Sequence, residues 1–173
     1  MRFGRHVMAN LTYRALGPHD FDALHRIACD WSVVRQLGGW PWPANPDFTK
    51  SRCKPYGGNG FVWGICVDGT LGGSVAVTGG ELGYMLHPTF AGRGIMSQAA
   101  TDALNHAQTA YDFPEFHASA WHDNPASKRI LEKLGFWHWQ TQFVHAKARG
   151  FPVACHFMRM SRTKWDGLSK AAQ

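Results

Sequence analysis

Apolar and polar residues alternate along "LTYRAL" (11–16), the pattern of a strand with one covered face. "GPHD" turns the chain, and Asp20 stands where a helix N-cap is expected. Phe21, Leu24, Ile27 and Ala28 then recur on one helical face. A second short helix is predicted from "WSVVRQLGGW", stopped by Gly38 and Gly39, and the proline-rich "PWPANPDFT" reads as a rigid loop without regular structure. The middle of the chain has strand character. "GFVWGICV" and "LGGSVAV" flank Asp68-Gly69-Thr70, a hairpin signal, and "ELGYMLHP" is a further strand ended by Pro88. Ile95, Met96, Ala99, Ala100, Ala103, Leu104 and Ala107 mark one face of a helix over 94–110. "FHASAW" is a strand. "DNPASKRILEKLGF" is a helix with Asn124 at the cap, Pro125 at the first turn and Gly135 just past the end. "WHWQTQFVHA" and "VACHFMRM" form a last hairpin around Arg149-Gly150. Strands and helices in this order predict one mixed α/β domain, a sheet with helices on its faces. Residues 1–10 read as an extension, 11–162 as the domain and 163–173 as a tail.

Composition narrows the class. Of 173 residues, 45% are hydrophobic and 17% charged, which is globular rather than disordered. A net charge of +6 suits an anionic ligand, but there is no long Lys/Arg run of the kind that marks a nucleic-acid tail. Cys29, Cys53, Cys66 and Cys155 have no CxxC or zinc spacing, so free thiols and a cytoplasmic protein are expected. No apolar run is long enough to span a membrane, and the start lacks the apolar core of a signal peptide. The ten histidines show no HxxxH or HExxH pair, and no metal is expected.

The chemistry concentrates in "ELGYMLHPTFAGRGIMSQAATDAL" (81–104), a strand, a glycine loop and a helix. Gly92 and Gly94 allow a tight turn and close approach, the free N–H groups of the helix start face an anion, and Arg93 adds charge. A P-loop is excluded because GxxxxGK[ST] does not occur. A dinucleotide fingerprint fits poorly because its third glycine is Ser97. A coenzyme A pyrophosphate loop is the third option.

The linked set "LTYRAL", "LGGWPWP", "LGYMLHPTFAGRGIMSQAA" and "NPASKRILEKLGF" resembles the GNAT acyltransferases, closest to their ribosomal-protein N-terminal acetyltransferase branch, over about Leu11 to Met160. The resemblance implies the acyl-CoA N-acyltransferase fold: a mostly antiparallel twisted sheet of six or seven strands with about four helices. It implies acetyl transfer from acetyl-CoA to a primary amine, either a small molecule or a protein N-terminus. No nucleic acid and no membrane are expected from the charge and hydropathy above, and a homodimer is compatible with the resemblance. By resemblance, Met85, Leu86 and His87 offer backbone to the pantetheine arm and an oxyanion donor. Ala91, Gly92, Arg93, Gly94, Ile95, Met96 and Ser97 would hold the pyrophosphate, and Asn124 would contact the pantetheine. Three positions depart from the superfamily pattern. Ala91 and Met96 replace its usual loop residues, and Leu131 stands where it often has a tyrosine acid. Glu81 is the favoured general base, His87 the runner-up, and His122 with Asp123 a third choice. Ser127 is the candidate acid and a second cofactor contact. Trp31, Trp40 and Trp42 are candidate acceptor walls, with Trp137 and Trp139 behind them. The alternative kept is a non-catalytic relative that binds coenzyme A as a sensor or interaction module.

Overall fold

The structure, a computed structural model, describes residues 10–171. The expected extension lies outside the described residues except for its last residue. Seven strands form one sheet in the order β1-β2-β3-β4-β5-β7-β6. They are β1 (Leu11–Ala15), β2 (Gly60–Val67), β3 (Thr70–Thr78), β4 (Glu81–Leu86), β5 (Glu115–Trp121), β6 (Trp137–Ala146) and β7 (Phe151–Ser161). Every neighbouring pair is antiparallel except β4 and β5. The β2–β3 hairpin turns at Asp68 and Gly69, both with positive φ (49° and 84°), as a tight hairpin turn requires.

Six α-helices flank the sheet where about four were expected: α1 (Phe21–Ala28), α2 (Trp31–Val34), α3 (Pro46–Arg52), α4 (Ile95–Ala110), α5 (Pro125–Lys133) and α6 (Arg162–Ala171). The two additional ones are α3 and α6. The first corrects the reading of "PWPANPDFT" as irregular throughout. Pro46 sits in the first helical turn, where its missing N–H costs nothing, and the Asn45 side chain accepts from Phe48 N at 2.8 Å. The second occupies most of the expected tail, and Trp165 anchors it in the core at 5% exposure.

The seven residues assigned to the inner face of α4 are all buried. They pack with Phe61, Ile65, Val75, Val77, Leu82 and Phe116 of the sheet in the larger core. Four of the seven are alanine, which lets the helix lie close to the strands. On the other face of the sheet, Leu24 and Ile27 of α1 pack against Leu71 and Met85. Asp20 does not cap α1 with its side chain. It is buried, accepts from Gly17 N at 2.8 Å and binds the Arg14 guanidinium through both oxygens. α5 ends as expected: Phe136 N donates to Leu131 O and Gly135 N to Glu132 O, both at 3.0 Å, with Gly135 at φ +94°.

Candidate active site

β4 and β5 run parallel but share one registered pair, Glu81 with His117, and then part. A cavity of about 850 Å³ opens in the gap. On its other edge β4 stays bonded to β3, where His87 N donates to Gly72 O at 2.8 Å. Antiparallel ladders alternate, so the N–H groups of Met85 and Gly83 face β3, and those of Tyr84 and Leu86 face the gap. Of the three residues expected to offer an oxyanion donor, Leu86 is the one whose N–H faces the gap. His87 has spent its own.

The two faces of β4 serve two sides of the cavity. Leu82, Tyr84 and Leu86 face α4 and α5, packing with the larger core. Glu81 and Gly83 lie with Met85 on the opposite face, toward α1 and α2. Glu81 is exposed, lines the cavity, and is the one carboxylate among the described residues that does so. His87 does not line it. Its Nδ1 accepts from Thr89 N at 3.3 Å and caps the short 3-10 turn over Pro88–Phe90. His122 and Asp123 stand outside the lining as well.

Ala91, Gly92, Gly94 and Ser97 line the mouth beyond β4. Gly92 and Gly94 have φ of +73° and +75°. Gly94 is the N-cap of α4 and offers no side chain, so the N–H groups of the first turn are left for a ligand. Ile95 and Met96 turn their side chains into the core, and only their backbone serves the loop. Arg93 lies beside the cavity with its guanidinium 5.8 Å from the Phe90 ring centre. A Cβ on Gly94 would meet no atom within 4 Å. Gly94→Ala is therefore expected to cost about 1–2 kcal/mol through backbone strain alone, read from urea unfolding.

Asn124 and Ser127 face the gap from the start of α5. Asn124 Oδ1 accepts from Ser127 N at 3.1 Å, so the cap uses the oxygen and the amide NH₂ remains for a ligand carbonyl. Ser127 Oγ lies 2.8 Å from the hydroxyl of Tyr84. Burial pushes the Tyr84 phenol up to about 12, against the opposing effect of the Ser127 hydrogen bond. Sequence reasoning missed Tyr84. Its signal was a tyrosine between two inward leucines, whose hydroxyl needs a partner inside.

The side of the cavity toward α2 is walled by Ser32, Gln36, Gly38 and Gly39 from α2 and its loop, and by Ser119 and Cys155 from β5 and β7. Burial raises the Cys155 thiol. Trp31, Trp40 and Trp42 do not line the cavity. Trp31 and Trp42 pack on each other at the surface, ring centres 5.1 Å apart, and Trp40 lies edge-on to Phe48. Trp137 and Trp139 are exposed on β6, away from the lining.

The family model described as an acetyltransferase (GNAT) domain matches residues 10–137. The chain belongs to the GNAT acetyltransferase family. Acetyl-CoA is accordingly its acyl donor, and the gap, the uncapped helix start and the glycine loop fit that molecule's arm and phosphates. No curated protein matches this GNAT chain in sequence. Similar solved structures include RimL, a ribosomal L7/L12 alpha-N-protein acetyltransferase in complex with coenzyme A, at 20% identity and TM-score 0.71 over 87% of this chain and 93% of that one. A spermidine N-acetyltransferase from Vibrio cholerae with CoA and spermine has 16% identity and TM-score 0.76, over 90% and 97%. An acetyltransferase from Salmonella typhimurium that modifies the N-terminal serine of L7/L12 has 18% identity and TM-score 0.71, over 87% and 94%. At these identities the likeness carries the fold and not the acceptor.

Proposed function

We propose that this chain moves the acetyl group of acetyl-CoA to a primary amine, on a small molecule or a protein N-terminus, by direct attack in a ternary complex. One observation carries the reading: a single cavity joins an anion-binding helix start on one face of β4 to a carboxylate, Glu81, on the other. Bound acetyl-CoA supplies an activated carbonyl and a sulfur leaving group. The first-turn N–H groups of α4 hold its phosphates, and the Asn124 amide holds its arm. Leu86 N–H donates to the carbonyl oxygen as negative charge builds there. Glu81 takes the proton that an α-amine, with an ordinary pKa near ~8, carries at neutral pH. The four cysteines are free, which suits a reducing cytoplasm as the place of work. No helix among the described residues is long and apolar enough to cross a membrane.

Acetyl-CoA at 100 times its dissociation constant is expected to stabilise the protein by about 2.7 kcal/mol. Thermal melting reads this directly, and an unchanged melting point at millimolar acetyl-CoA sinks the proposal. Thiol release in the presence of spermidine, a serine-initiated peptide or free lysine then separates a transferase from a silent binder.

A further inference from the structure

We propose that Tyr84 is a positioning residue: its phenol donates to Ser127 Oγ and so turns the serine's own O–H into the cavity, toward the departing sulfur. This rests on the acetyl-transfer reading above. The pair spans two elements, Tyr84 from β4 and Ser127 from α5, at 2.8 Å, and both line the gap. The Tyr84 ring is packed with the larger core between Leu82 and Leu86, so its hydroxyl is held in place. Ser127 is fixed as well, because its N–H is bound by Asn124 Oδ1. What remains free is the direction of the two O–H bonds. The second partner within reach of the phenol is Ser127 O at 3.4 Å, and a carbonyl only accepts. The phenol therefore donates in either arrangement. Its elevated pKa keeps it protonated across the neutral range. When it donates to Oγ, the serine hydrogen is released to point elsewhere.

The chemistry asks for that hydrogen. As nitrogen bonds to the acyl carbon, the carbon–sulfur bond breaks and its electron pair goes to sulfur. The nitrogen's proton goes to Glu81 and on to water. A thiol ionises near ~8.5, so the sulfur leaves as a weak base and then takes a proton from water. It needs a hydrogen bond at departure rather than full proton transfer, and an alcohol held by a phenol supplies one. Ser127 is the one hydroxyl side chain on α5. Position 131, where the family resemblance expects a tyrosine, holds a leucine at 1% exposure. The donor proposed here stands one turn earlier on the same helix, held by a phenol from β4.

The test is the ionisation of the thiol of bound coenzyme A, read from thiolate ultraviolet absorbance against the desulfo-coenzyme A complex. Wild type is expected to lower that pKa by about one unit relative to free coenzyme A, because a hydrogen bond to a charged sulfur favours the thiolate. Tyr84→Phe and Ser127→Ala should each remove the shift, the double variant should remove no more, and Ser127→Thr should restore it. Other ionisable groups lining the gap are Glu81, Cys155, Arg129 and Lys133, and they are common to all these proteins. Melting and calorimetric binding of coenzyme A accompany each variant. A Tyr84→Phe protein that folds, binds coenzyme A and keeps the wild-type thiol pKa overturns the proposal. So does a wild type that shows no shift. Absence of coenzyme A binding by wild type overturns the acetyl-transfer reading itself.

Discussion

Glu81→Gln is expected to lower turnover by about 10²–10³-fold at neutral pH, the usual contribution of a positioned general base. Coenzyme A affinity should hold, since Glu81 opens β4 and the phosphate loop follows its far end, about 17 Å away along an extended strand. The pH profile separates the base from a mere cation anchor. A variant without the base depends on amine that is already neutral. Its rate should climb about tenfold per pH unit and level off near the amine's own pKa, about 8 for an α-amine. The wild type should be flatter, and the gap between the two curves should narrow by about tenfold from pH 7 to alkali, the share that prior deprotonation of the amine accounts for. If Glu81 only attracts a cationic acceptor, the defect will fall on KM, leave the rate at saturating amine unchanged, and fade where the amine is neutral. Single-turnover rates from pH 6 to 10, with an amine found by thiol release, decide between the two.

What the sequence disclosed about this site follows from how local each signal is. The inner face of α4 was legible because seven residues repeat at one helical period, and the hairpin at Asp68-Gly69 because the turn dictates its residues. The strand–loop–helix geometry at Gly92 and Gly94 was legible for the same reason: strand, glycines and helix start are adjacent in the chain. α3 was lost although Asn45-Pro46 repeats the Asn-Pro start of α5. Three prolines in "PWPANP" mask the fact that the last one opens a helix. α6 was lost because its polar surface resembles a tail. What fixes it is a tertiary contact, Trp165 in the core, with Leu168 so near Gly135 that a Cβ there would lie 2.6 Å away. His87 has the right chemistry for a base, but the three-residue turn that follows it claims its Nδ1. The tryptophans show that aromatic content cannot tell a wall from a surface stack. Tyr84 and Ser127 are 43 residues apart, and only the parting of β4 from β5 brings both to one gap.

That gap has a second dependence on long-range contacts, at its α2 wall. Asp123→Ala is expected to destabilise the protein by about 3 kcal/mol, lowering Tm by about 6–12 °C for a chain of this size. The Arg149 side chain is 5% exposed and meets Asp123 through two bonds of 2.9 Å. It also donates to Arg35 O at 2.8 Å and Gln36 Oε1 at 3.1 Å, and its guanidinium lies over Trp121. Arg35 binds the same carboxylate. Removing Asp123 strands a buried cation, and that costs more than the pair itself contributes. The loss sits at the low end of the range for buried pairs because Asp123 is 28% exposed. Arg149 chiefly holds the Asp123 carboxyl below the usual range. A group depressed in this way adds stability above its unfolded pKa, about 3.9, and loses it as pH falls through the folded value. The gap between wild type and Asp123→Asn should thus be full at pH 6 and close in acid. Asp123→Leu with Arg149→Met, which removes both charges, should recover part of the loss. The same bonds tie Gln36 of the cavity's α2 wall to the end of β5, and if the amine enters there, as proposed, Asp123→Ala should raise KM for the amine more than the dissociation constant of acetyl-CoA. A loss under 1 kcal/mol, or one that does not change with pH, would show that the ion cluster is not what holds α2 against the sheet.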